Sequence, residues 1–262
     1  MGKIESYISG SFCWAELATS DIEAAKRFYS EMFGWTAVDN VMPQGIYTIF
    51  ESEGNKAAGA FQMPGVPTHW GAHFSTPSAD ESAAKAGTLG GKVIMGPFDA
   101  HDKGRMAIVQ DPQGATFTLW QAKTEIGATH GGPLNQFCWP ELTTPDPAAA
   151  AAFYTGLFGW STKPADGVGN AEYVEWVNAG RSIGGLMPMR GEMWKGVPPH
   201  WMLYVSVANC DERTAKAGQL GARICVSPTD IPNVGRFSVI TDPQDAALSL
   251  VQLARASQPA GA

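Results

Sequence analysis

The sequence predicts an α+β fold built twice over from one unit. Three observations carry that prediction. The chain has 262 residues, which suits two domains of about 125 better than one. Thirty Gly and eighteen Pro imply many turns, as strand-rich architectures need. Above all, the second half repeats the first.

The repeat is read residue by residue. Phe12-Cys13-Trp14-Ala15-Glu16-Leu17 recurs as Phe137-Cys138-Trp139-Pro140-Glu141-Leu142. Asp21 recurs as Asp146, Phe28-Tyr29 as Phe153-Tyr154, and Phe33-Gly34-Trp35 as Phe158-Gly159-Trp160. Later, His69-Trp70 answers to His200-Trp201, Gly104-Arg105 to Gly235-Arg236, and Asp111-Pro112-Gln113 to Asp242-Pro243-Gln244. From Phe12 to Phe137 the step is 125, and from His69 to His200 it is 131. Most of that drift is an insertion near Arg190–Lys195, where the halves should differ most.

Each half reads as strand, helix, three strands, then helix and three more strands. The first strand is Phe12 to Ala18. Asp21 caps a helix running to about Phe33, with Ala24, Ala25, Phe28, Tyr29, Met32 and Phe33 as its apolar stripe. Gly34 stops it. Strands are expected around Tyr47–Glu51, Gly59–Met63 and Gly71–Ser75. Ser78 and Glu81 form a capping box for a second helix ending near Leu89-Gly90-Gly91. Strands around Lys92–Met95, Arg105–Gln110 and Thr116–Trp120 follow, the last two joined by the turn Asp111-Pro112-Gln113-Gly114. In the second half Asp146 caps with Pro147 at the first helical position, and Asn209 with Glu212 starts the second helix. This gives domains at 8–123 and 134–255, with a linker at 124–133.

Bulk composition bounds the function. Hydrophobic residues are 44% and charged residues 16%, enough for a large core. The net charge is −7 and the Lys and Arg are scattered, which argues against nucleic acid as a partner. No apolar run approaches the roughly 20 residues that span a bilayer, and the first residues lack a signal core. Met-Gly-x-x-x-Ser at the start matches the myristoylation pattern, a short match read as chance. Cys13, Cys138, Cys210 and Cys225 have no metal-type spacing and are expected reduced and mostly buried. The expectation is a cytoplasmic protein with a small-molecule partner and no membrane.

The order of these pieces is specific where each alone is not. A strand, an Asp, a helix with Phe-Tyr and a Phe-Gly-Trp ending come first; a Leu-Gly-Gly helix end, Asp-Pro-Gln-Gly-Ala and a final Leu-Trp strand come second. From about Ser11 to Leu253 the chain resembles the vicinal oxygen chelate superfamily of glyoxalases, extradiol dioxygenases and bleomycin- and fosfomycin-resistance proteins. More narrowly, it is similar to two-domain glyoxalase-like proteins that include an actinobacterial antigen of similar size. The resemblance implies two βαβββ modules curled around a cleft in each half. It also implies a monomer that is its own pseudo-dimer, with a homodimer as the alternative.

In metal-dependent members of that superfamily, His, His and Glu come from three strand positions. Counted on this chain, those positions hold Trp14, Gly71 and Thr118 in the first half, and Trp139, Met202 and Ser249 in the second. None is a good divalent ligand, so no metal and no other cofactor is expected; a divalent metal is the alternative, with His69 and His73 nearby. Because alternate strand residues share a face, Glu16 should face the cleft with Trp14, and Glu141 with Trp139.

Glu16, Glu141 and His73 are therefore the candidate general bases. A carboxylate in an apolar, Trp-lined cleft should have a raised pKa. The plainer reading of the two glutamates is a salt bridge or hydrogen bond at a strand end, with Arg105 or Arg236 as a partner. Trp14, Trp139, Thr118, Ser249, Tyr204, Trp120 and Met202 are candidate substrate contacts; Arg105 and Arg236 are candidate substrate contacts through an anion, with a scaffold ion pair as their plainer reading. The plainer reading of Trp14 and Trp139 is core packing or, preferred here, a plug that fills the vacated metal position. His73 is matched by Tyr204, so if it works catalytically the halves are not equivalent. Four functions compete: a metal-free binder or sequestering protein, a lyase, isomerase or oxygenase type of enzyme, a metal-dependent glyoxalase or dioxygenase, and an interaction protein with vestigial clefts.

Overall fold

A computed structural model describes residues 4–42, 45–130, 134–165 and 172–254. Two eight-stranded sheets, one per half, make up the protein. The first contains β1 (Phe12–Thr19), β2 (Thr36–Met42), β3 (Gly45–Ser52), β4 (Asn55–Gln62), β5 (His69–Ser75), β6 (Lys92–Ala100), β7 (Gly104–Gln110) and β8 (Thr116–Ala122). Its helices are α1 (Ile22–Phe33) and α2 (Ala79–Thr88). The second half holds β9 (Phe137–Thr144), α3 (Pro147–Phe158), β10 (Ser161–Pro164), β11 (Val174–Asn178) and β12 (Arg181–Pro188). It continues with β13 (His200–Ser206), α4 (Cys210–Gln219), β14 (Arg223–Ile231), β15 (Gly235–Thr241) and β16 (Ala247–Leu253).

The strand order, β2-β3-β4-β1-β5-β8-β7-β6, is two four-stranded modules joined edge to edge where β1 and β5 run antiparallel. The second sheet has the same order, β10-β11-β12-β9-β13-β16-β15-β14.

Local chemistry places the helices as the sequence predicts. Asp21 accepts from the Ala24 N–H, Asp146 from Ala149, Ser78 from Glu81 and Asn209 from Glu212. Gly34 and Gly159 close α1 and α3 in the left-handed region, at φ 72° and 76°. Two strands were not expected, β2 and its counterpart β10. β2 carries the sequence Thr-Ala-Val-Asp-Asn-Val-Met, largely exposed and without apolar alternation, and is held by its ladder to β3, by Ala37 against the core and by Asp39 paired with Lys26 of α1.

One apolar core runs through both halves. On the helix-facing side of the first sheet lie Leu17, Phe50, Ala60, Phe74, Val109 and Leu119, all fully buried. Phe74 meets Trp201 of the other half at 4.8 Å between ring centroids, and Trp70 meets Phe137 at 4.9 Å. The helix-bearing faces of the two sheets therefore pack on each other, and their helix-free faces point away from the joint.

The repeated Asp-Pro-Gln turns join the halves as well as turning the chain. The Tyr29 hydroxyl donates to Asp242 Oδ2 at 2.8 Å and receives the Trp70 indole N–H at 2.9 Å. Reciprocally, Tyr154 donates to Asp111 Oδ2 at 3.1 Å and receives Trp201 at 3.0 Å. Gln244 Oε1 accepts from the Thr19 hydroxyl and the Asp21 N–H, each at 2.8 Å. Gln113 Oε1 does the same for Thr144 and Asp146. These bonds are made in both directions between the halves, and those of the two tyrosines are buried.

Candidate functional site

Strand register decides which side chains can meet. Trp14 pairs with His73, Glu16 with Gly71, and His73 in turn with Thr118, so these residues share one face. Ile49 and Gly59 pair on that same face. No helix covers it, yet Trp14, His73 and Thr118 are all buried. The sheet must therefore fold over its own middle strands, which makes the helix-free face a cleft.

At its floor is a chain of hydrogen bonds. The Trp14 indole N–H donates to the Tyr47 hydroxyl at 3.0 Å, and Tyr47 donates to Glu16 Oε2 at 2.6 Å. His73 Nε2 stands 3.6 Å from Glu16 Oε1, while His73 Nδ1 is buried with no partner. The second half repeats the arrangement: Trp139 donates to Tyr173 at 3.1 Å, and Tyr173 bonds Glu141. Tyr204, in the place of His73, donates to Glu141 Oε1 at 2.9 Å.

Two glycines make room for these chains. A Cβ on Gly59 would lie 2.0 Å from the Tyr47 oxygen and 2.9 Å from Trp14 Nε1. A Cβ on Gly185 would lie 2.0 Å from the Tyr173 oxygen and 3.0 Å from Trp139 Nε1. Tyr47 and Tyr173 were absent from the sequence candidates. Their signal was present: a Tyr followed by a Gly twelve residues on, at 47 and 59 and again at 173 and 185.

The expected raised pKa holds in one half only. Burial pushes Glu141 up to about 6 against the bonds from Tyr204 and Tyr173, which act the other way. Burial pushes Glu16 up too, but the His73 charge and the bonds from His73 and Tyr47 overcome it, and Glu16 ends below the usual carboxylate range. Burial and the neighbouring carboxylate hold Tyr47 and Tyr204 far above the ordinary phenol range.

The candidates sort cleanly. Trp14, Glu16, His73 and Thr118 come together in the first half, with Trp120 tilted against the His73 ring at 6.2 Å between centroids. Trp139, Glu141, Met202, Tyr204 and Ser249 come together in the second. Arg105 and Arg236 do not join them, which corrects their candidacy as substrate contacts and leaves the plainer reading, scaffold ion pairs. Arg105 pairs with Gln121, one residue out of step with Trp120, and so lies on the helix side. There it forks onto Asp80 of α2 at 2.6 and 2.8 Å and also bonds Asp99. Arg236 does the same with Asp211 and Asp230. Neither arginine partners Glu16 or Glu141; Tyr and His neighbours do.

His69 and His200 each share a hydrogen bond through Nδ1 with a proline carbonyl two residues back, Pro67 and Pro198, at 2.8 Å. The insertion forms a short 3₁₀ turn, Glu192–Trp194, beside a hollow of about 290 Å³ lined in part by Pro145, Met189 and Val197. None of the Glu141 cluster lines it. Cys13 and Cys210 are buried, Cys138 half-buried and Cys225 exposed, all as free thiols.

Three positions would have to supply the metal ligands. The Trp14 nitrogen is a donor already spent on Tyr47, Gly71 has no side chain, and Thr118 offers one hydroxyl. Among the described residues no group of three or more His, Cys, Asp or Glu could hold a metal ion. The donor set does not fit a divalent cation.

Fold and floor together define a tandem glyoxalase-type protein, and comparison with known proteins agrees. Residues 11–119 match the Glyoxalase/Bleomycin resistance protein/Dioxygenase superfamily, and residues 140–251 match the Glyoxalase-like domain. The chain belongs to this superfamily. It is 36% identical to CFP32 of Mycobacterium tuberculosis, described as a glyoxylase, over 96% of this chain and 98% of that one. It is 32% identical to the anthracycline biosynthesis protein DnrV of Streptomyces peucetius, over 98% of each. Among solved structures, the Mn(II)-bound glyoxalase of Novosphingobium aromaticivorans aligns with a TM-score of 0.64 at 15% identity, over 93% of this chain and 82% of that one. The 2,3-dioxygenase LapB of Pseudomonas sp. KL28 aligns with a TM-score of 0.62 at 13% identity, over 97% and 98%. At such identities the two structures speak for the fold alone. Among the described residues no helix is long and apolar enough to cross a membrane.

Proposed function

We propose that the protein binds a small organic molecule in a glyoxalase-type cleft without a divalent metal, using a carboxylate held by neighbouring side chains. One observation carries this reading: Trp14, counted to one of the three metal-ligand positions, donates to Tyr47, which donates to Glu16, so the floor presents an acceptor carboxylate. Above it are half-buried or exposed apolar side chains, among them Ile49, Phe61, Met106 and Ile108. A small-molecule site of this kind pairs apolar walls with a few fixed polar groups. The relatives' assignments to glyoxylase chemistry and to anthracycline biosynthesis are consistent with an organic ligand.

A second reading is proton abstraction by Glu16, a carboxylate that the His73 charge and the bonds from His73 and Tyr47 keep ionised. Both readings put Glu16 at the ligand.

The test has two parts. Protein purified without chelators is assayed for bound metal by elemental mass spectrometry, and a metabolite and drug library is screened by thermal shift against wild type and Glu16→Gln. The expected result is no stoichiometric metal, and ligands that stabilise the wild type but not the variant. Near-stoichiometric Mn, Fe, Ni or Zn that is lost in Glu16→Gln overturns the metal-free reading. Hits that ignore Glu16→Gln overturn the site.

A further inference from the structure

The two clefts share a floor and differ in what stands over it. Opposite Glu16 on β5 is Gly71. A Cβ built there would meet nothing nearer than the Glu16 carbonyl oxygen at 3.6 Å, so the space beside the carboxylate is open. Opposite Glu141 on β13 is Met202. One pair along, His73 gives way to Tyr204, whose hydroxyl closes onto Glu141. Glu141 is thus enclosed by two phenols and a thioether and is buried, whereas Glu16 is half-buried. The mouths differ as well. Val38 and Ile49 pair on the first cleft's outer strands, while the equivalent pair in the second is Lys163 and Glu175, joined by an ion pair at 3.1 Å.

We infer that the first-half cleft is the protein's ligand site and that Met202 and Tyr204 close its counterpart. The inference rests on the reading that the first cleft binds a small molecule. It adds a ligand chemistry: a mainly apolar molecule that turns a hydrogen-bond donor toward Glu16. An anionic group at that end would face the Glu16 carboxylate with no guanidinium at the floor, since Arg105 lies behind the sheet.

The experiment measures access rather than affinity. The full-length protein is treated with a water-soluble carbodiimide and glycinamide, and labelling of Glu16 and Glu141 is read by peptide mass spectrometry. A carboxyl oxygen adds to the carbodiimide carbon as a proton passes to its nitrogen, and the raised pKa of Glu141 makes it the more reactive of the two on chemistry alone. Closure predicts the reverse, with Glu16 labelled at least about tenfold faster. Gly71→Met, which copies the closing residue into the first half, should slow Glu16 labelling about tenfold. The double variant Met202→Gly, Tyr204→His should expose Glu141 to labelling near the Glu16 rate. Equal labelling in the wild type overturns the inference. So does Gly71→Met that folds, by circular dichroism, and labels as the wild type does; this arm stands even if the double variant does not fold. Labelling needs no ligand, so a failed library screen with the expected labelling pattern sinks the binding reading and leaves the asymmetry intact.

Discussion

The two clefts began as copies, and the positions at which they now differ show which residues the fold needs and which the chemistry needs. The Trp–Tyr–Glu chain and the glycine beneath it are the same in both. They belong to the scaffold of the cleft as much as to its function. The differences gather around the carboxylate: Gly71 against Met202, His73 against Tyr204, Trp120 against Val251. One set of neighbours leaves a carboxylate ionised and half-open. The other leaves its twin shut in and pushed up to about 6. Burial alone would have raised both; the His73 side chain reverses the sign.

The comparison can be broken most forcefully at the shared glycines. Gly59→Ala and Gly185→Ala each drive a Cβ into a tyrosine oxygen, and each should cost about 2–3 kcal/mol in chemical denaturation. If the clefts are unequal, only Gly59→Ala also abolishes ligand-induced thermal shifts.

Next come the carboxylates, whose stability effects should have opposite signs. Glu141 has a raised folded pKa, so its contribution is full below its ordinary value of 4.5 and is lost as pH rises through about 6. That loss amounts to about 2 kcal/mol. Glu141→Gln should therefore be more stable than wild type at pH 7.5, and its unfolding free energy should be flatter between those two pH values. Glu16 has a lowered folded pKa, so its contribution is present above 4.5 and is lost as pH falls through the folded value. Glu16→Gln should be less stable than wild type at pH 7.5. Two variants shifting in the same direction would refute the His73 explanation.

The cross-half tyrosines offer a smaller, symmetric control. Tyr29→Phe and Tyr154→Phe each remove a buried donor from an aspartate and should cost about 1–2 kcal/mol apiece, equally in both halves. The smallest effect is expected from Arg105→Ala. Its ion pairs are exposed and lie behind the cleft, so unfolding midpoint and ligand response should both match wild type. A lost ligand response would return Arg105 to the site.

Much of this was legible in the sequence because it is local or periodic. Asp21, Ser78, Asp146 and Asn209 cap helices through bonds three residues long, and spacing reveals such bonds. Alternation along β1 put Glu16 beside Trp14. What escaped depends on contacts across the fold. β2 has no apolar rhythm and is held by β3, by Ala37 against the core and by Asp39 paired with Lys26. Tyr47 reaches Glu16 over an intervening strand, a path visible only once β4 lies between them. The face of Arg105 turned on a one-residue register between β7 and β8. Asp111 and Asp242 look like turn formers, and they are; that each also receives a tyrosine from the other half needs both halves in place.

Those reciprocal tyrosine–aspartate bonds have a consequence for change over generations. In a dimer of identical subunits every substitution is written into both sites at once, so one cannot be altered while the other is kept. Here the same joint is covalently tethered within one chain, with each partner encoded separately. The joint keeps the halves together whatever becomes of either cleft. One site can be traded for stability or a new task while its twin stays under selection, a freedom that symmetry denies an assembly of equals.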